Sequence, residues 1–60
     1  MPASIKQMKY LRFSVTRLVK AEVAMSWKGS QPPEEHAAID TELKVARAQY
    51  HRALERVAAP

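Results

Sequence analysis

One break interrupts an otherwise continuous helical pattern. The segment Lys28-Gly29-Ser30-Gln31-Pro32-Pro33 holds the only glycine of this 60-residue chain and two of its four prolines, the other two being Pro2 and Pro60 at the ends. Glycine and proline are the strongest local interruptions of regular structure, so the chain reads as two helices joined by one turn. A connection of about five residues forces the second helix to return antiparallel to the first. The expectation is an all-α, antiparallel two-helix hairpin forming a single domain over 1–60, with helix 1 over about 4–27, a loop over about 28–32 and helix 2 over about 33–58.

Signals at the helix ends fit this division. Ser4 and Gln7 match the capping box, in which the hydroxyl accepts from an early backbone N–H and the amide reaches back to the cap residue. Gly29 stands where a left-handed residue often terminates a helix. Pro33 suits the first position of helix 2, where its missing N–H costs nothing. Glu34 and Glu35 then lie at the positive end of that helix dipole, and Arg52 and Arg56 near its negative end.

Hydrophobic spacing predicts which faces meet. In helix 1, Ile5, Met8, Leu11, Val15, Leu18 and Met25 recur at three- and four-residue steps. Met8, Val15 and Glu22 then share one heptad position, and Leu11, Leu18 and Met25 the other. In helix 2, His36, Ile39, Leu43, Ala46, Tyr50, Ala53 and Val57 form an unbroken heptad seam in which large and small residues alternate. Folding at the loop brings Met25 towards His36, Leu18 towards Leu43, Val15 towards Ala46, Leu11 towards Tyr50 and Met8 towards Ala53. Val19, Val23, Ile5 and Leu54 widen the apolar arc beyond what one helix pair covers, so a homodimer forming an antiparallel four-helix bundle is expected, with docking on a larger partner as the alternative.

The size makes such help useful. A domain this small buries only about 60% of its unfolded surface, and there is no cysteine to supply a disulfide or a thiolate ligand. No apolar run approaches the ~18 residues of a membrane-spanning helix, so a transmembrane segment is not expected. An intracellular, cytoplasmic location is the expectation, although the basic, acid-free N-terminal stretch also has the character of a mitochondrial presequence.

Charge is concentrated in one half. The formal net charge is +4, yet Lys6, Lys9, Arg12, Arg17, Lys20 and Lys28 face Glu22 alone in the first half, while the second half is slightly acidic. On a helical wheel, Lys6, Lys9, Tyr10, Phe13, Arg17 and Lys20 fall in one sector of about 100°, and Trp27 extends it. These seven residues are the expected partner-binding site, offering a cationic, aromatic surface to an acidic protein surface or to nucleic acid. Cations neutralise phosphates, and exposed rings stack on unpaired bases.

Other chemistry is thin. Glu22 interrupts the expected seam of helix 1, where a carboxylate needs a partner such as His36 or Arg47. His36 and Asp40 have a spacing that two metal ligands can share, but without a third group they make no convincing site, and no metal or cofactor is expected. No nucleophile sits with a base and an orienting acid, no glycine-rich phosphate loop is present, and two helices are expected to leave no pocket of several hundred cubic ångströms. The chain therefore reads as a small non-enzymatic regulator or inhibitor that blocks or adapts a larger machine, of the accessory kind found in phages and plasmids, with no small-molecule substrate. The alternative is a small structural accessory subunit of a ribosome-like or respiratory assembly.

Overall fold

The computed structural model describes residues 4–58 and contains two α-helices, α1 over Ile5–Ser26 and α2 over Pro33–Ala58, joined by a single 3-10 turn at Lys28–Ser30. The helices pack against each other as an all-α hairpin about 46 Å long and 13 Å across at the Cα atoms. Ser4 caps α1 as its sequence requires: the hydroxyl accepts from Gln7 N–H at 3.1 Å, and Gln7 Oε1 accepts from Ser4 N–H at 2.8 Å. Pro33 opens α2, with Glu34 and Glu35 in its first turn and Arg56 in its last.

The turn differs from the expectation. No glycine has positive φ, and Gly29 lies within the 3-10 turn. Trp27, at φ −99° and ψ 2°, closes α1 instead, its N–H reaching the carbonyls of Val23 and Ala24. Bonds from Ser30 N–H to Trp27 O and from Gln31 N–H to Lys28 O carry the chain onward as a 3-10 turn, which needs no left-handed residue.

The seam of α2 is the one its heptads specify. Leu43, Ala46 and Ala53 are buried, and His36, Ile39, Tyr50 and Val57 are partly so. The seam of α1 is rotated from its expected position. Ser14 and Ala21 are buried at its centre, whereas Met8 and Val15 are exposed at 45% and 41%, and Glu22 is exposed with them. Leu18 and Met25 stay at the edge, packed against the core cluster of Ala21, Leu43 and Ala46.

Size complementarity explains the rotation. Leu43 and Tyr50 project from α2 and need short residues opposite, while the intervening alanines let the backbones draw near. Ser14 and Ala21 meet that need better than Met8 and Val15. The buried Ser14 hydroxyl donates to Tyr10 O at 2.9 Å, so burial leaves it satisfied, and among the described residues no buried side-chain polar atom lacks a partner.

Candidate partner-binding face

Rotation of α1 divides the seven residues of the basic, aromatic sector. Arg17 and Tyr10 turn towards α2, while Lys6, Lys9, Phe13, Lys20 and Trp27 remain exposed. Arg17 spreads its guanidinium over two residues of α2. Its Nε donates to Glu42 Oε2 at 2.7 Å, Nη2 to Glu42 Oε1 at 2.8 Å and Nη1 to Gln49 Oε1 at 2.8 Å. The paired, planar contact holds the Glu42 carboxyl below its ordinary range and the Arg17 guanidinium above its own, in both cases chiefly through the hydrogen bond between them. Tyr10 is covered by the other end of α2, where the Arg56 guanidinium lies 5.4 Å from the ring centroid.

What remains is a narrower strip with a defined layout. Phe13 and Trp27 are 61% and 60% exposed, with Lys20 between them and Lys6 and Lys9 towards the N-terminal end. None of these three lysines forms an ion pair among the described residues, in contrast to Lys28, whose Nζ lies 2.9 and 3.0 Å from the two Asp40 oxygens. Phe13, Thr16, Arg17 and Lys20 line a shallow recess of about 200 Å³. A larger one, about 610 Å³, is lined by Ser4, Lys6, Gln7, Tyr10 and Arg56. The latter exceeds what two helices were expected to enclose because it is an open trough between the helix ends and not a closed cavity.

Glu22 and His36 do not meet. Glu22 is exposed, and His36 Nε2 lies 3.0 Å from Gln31 O. Asp40 is engaged by Lys28, and among the described residues no three histidines, cysteines or carboxylates gather as metal ligands. No described helix is long and apolar enough to cross a membrane.

Sequence periodicity missed the role of Arg17 in holding the hairpin together. A signal was present in Glu42 and Gln49, which flank the α2 seam seven residues apart and form an acceptor pair for one guanidinium. No protein-family model matches the chain, and no curated protein or solved structure is significantly similar to it.

Proposed function

We propose that this hairpin is a non-enzymatic interaction module that lays the exposed strip of α1 in an acidic groove of a larger protein, blocking or adapting that protein. The observation that supports the reading is the pairing of two exposed aromatic rings, Phe13 and Trp27, with Lys6, Lys9 and Lys20, none of which α2 neutralises. Aromatic anchors seated in pockets dominate binding energy at protein interfaces, and cations around them steer association and select an acidic partner. Helix-in-groove recognition uses such anchors at helical spacing.

The distance between the rings favours protein over nucleic acid. At ~1.5 Å per residue, Phe13 and Trp27 stand about 21 Å apart along the axis, far more than the separation of successive stacked bases. Withdrawal of Arg17 and Tyr10 into the hairpin further reduces the surface open to phosphates and bases.

The reading includes self-association as a homodimer, since Met8, Val15, Val19 and Val23 of α1 are all left uncovered by α2. A structural accessory subunit draws on the same uncovered side and differs in requiring a host assembly to bury it.

Capture from the native host, with wild type and a Lys9/Phe13/Lys20 triple-alanine variant as baits, tests the proposal. Arg17 is left unchanged because its loss would disturb the hairpin. Retention of an acidic protein by the wild type alone is the expected result. Recovery of nucleic acid, with affinity falling steeply as salt rises, would assign the strip to phosphates instead. Survival of the same partners in the variant would show that another face binds.

A further inference from the structure

The exposed side of α1 carries a pattern whose spacing is the same in both directions. Met8, Arg12, Val15, Val19, Glu22 and Ser26 succeed one another at steps of four, three, four, three and four residues, which places them in one stripe along the helix. Val15 and Val19 lie at its centre, 41% and 54% exposed. Arg12 and Glu22 lie at equal distances on either side, about 7.5 Å from the midpoint at ~1.5 Å per residue. Both are exposed, and neither forms an ion pair with another described residue.

We infer that this stripe is the contact between two copies of the chain, with α1 packed antiparallel on α1 about a two-fold axis level with residue 17, so that Arg12 of each copy meets Glu22 of the other. The inference rests on the self-association put forward above and specifies its face and register. In this register each Val15 lies against the second copy's Val19, and the two Arg12–Glu22 pairs flank the valines symmetrically. A parallel pairing would set Arg12 against Arg12 and Glu22 against Glu22. A two-fold contact must be self-complementary, and the antiparallel register is the one in which these charges are. The position of Glu22, the only acid of the first half, within an apolar stripe also opposes a lipid surface as the occupant.

The α2 helix contributes little to this side. Of its large apolar residues only Leu54 and Val45 are exposed, so α1 and not the whole hairpin forms the contact. A two-fold axis perpendicular to both α1 helices leaves the two Lys9/Phe13/Lys20 strips on the same side of the dimer. One partner with a long acidic groove would then meet two strips.

Charge reversal tests the register. Sedimentation equilibrium of the wild type should give twice the 6.8 kDa chain mass. Arg12→Glu and Glu22→Arg should each weaken the dimer about tenfold or more, because each replaces two attractions by two repulsions. The double variant Arg12→Glu/Glu22→Arg should restore it to within about threefold of wild type. Circular dichroism of each variant confirms that the exposed substitutions leave helicity intact. A wild type that stays monomeric up to millimolar concentration overturns both the self-association and its register. A dimer indifferent to the single reversals, or one that the double reversal fails to restore, overturns the register alone.

Discussion

Replacing Ala46 by leucine probes the packing that orients every other surface of the molecule. Ala46 has no exposed surface and sits in the core cluster with Ala21 and Leu43, against which Leu18 and Met25 pack. Three further carbon atoms have no space there without moving α1 away from α2 or forcing side chains off their rotamers. Overpacking of this kind costs about 1–3 kcal/mol. A domain of this length has a total stability of only about 3–9 kcal/mol at ~0.05–0.15 kcal/mol per residue. At roughly 4–8 °C per kcal/mol the melting temperature should fall by about 4–24 °C. Thermal unfolding followed by circular dichroism at 222 nm, a standard helix wavelength at about the amide n→π* band, gives the measurement. Val45→Leu, one residue away but exposed, should stay within about 0.5 kcal/mol of wild type and serves as the control. A melting temperature unchanged or raised by Ala46→Leu would refute the argument, because it would mean that the helices are not held close by small residues.

Three further outcomes follow from local chemistry. Gly29→Ala should stabilise the hairpin by about 0.4–1 kcal/mol, since its backbone does not have positive φ and an added Cβ meets nothing within 4 Å; a destabilised variant in denaturant titration would contradict the 3-10 turn. Ser4→Ala should cost about 0.5–2 kcal/mol through loss of the hydroxyl that caps α1, read by the same titration, and an unchanged midpoint would count against the capping box. The Glu42 carboxyl, held low by Arg17, contributes stability that is present above the ordinary carboxylate range and is lost as pH falls through its lowered folded value. Melting temperature should therefore fall on acidification below about pH 4, and less steeply in Glu42→Gln, whereas identical pH profiles would show that the pair is not maintained in solution.

The hairpin and the α2 seam were legible in the sequence because each depends on local signals: a single glycine-proline break, a capping box, and a heptad repeat without exceptions. The α1 face was not. Its large apolar residues occupy more than half of the helix circumference, so hydrophobicity alone leaves the rotation open, and the heptad spacing of Met8 and Val15 pointed to the wrong edge. What sets the rotation is shape, since Ser14 and Ala21 are short enough to face the large residues of α2, together with the Arg17 contact to Glu42 and Gln49. The same rotation explains why part of the basic sector proved legible and part did not. Lys6, Lys9, Phe13, Lys20 and Trp27 lie beyond the seam, whereas Tyr10 and Arg17 lie at its border and have partners on α2. Gly29 was misread because a glycine after a helix resembles a left-handed cap, although a 3-10 turn also leads the chain out of a helix with no residue at positive φ.

The central claim is that α1 turns Ser14 and Ala21 inward, and so leaves two of its sides exposed, one basic and aromatic and the other apolar. Nuclear Overhauser contacts in solution test it most directly. The account predicts contacts from the Ser14 and Ala21 β-protons to α2, and from the Tyr10 ring to Arg56, with none from Phe13 or Val15 to α2. Contacts from Val15 or Phe13 to the seam of α2 would contradict it.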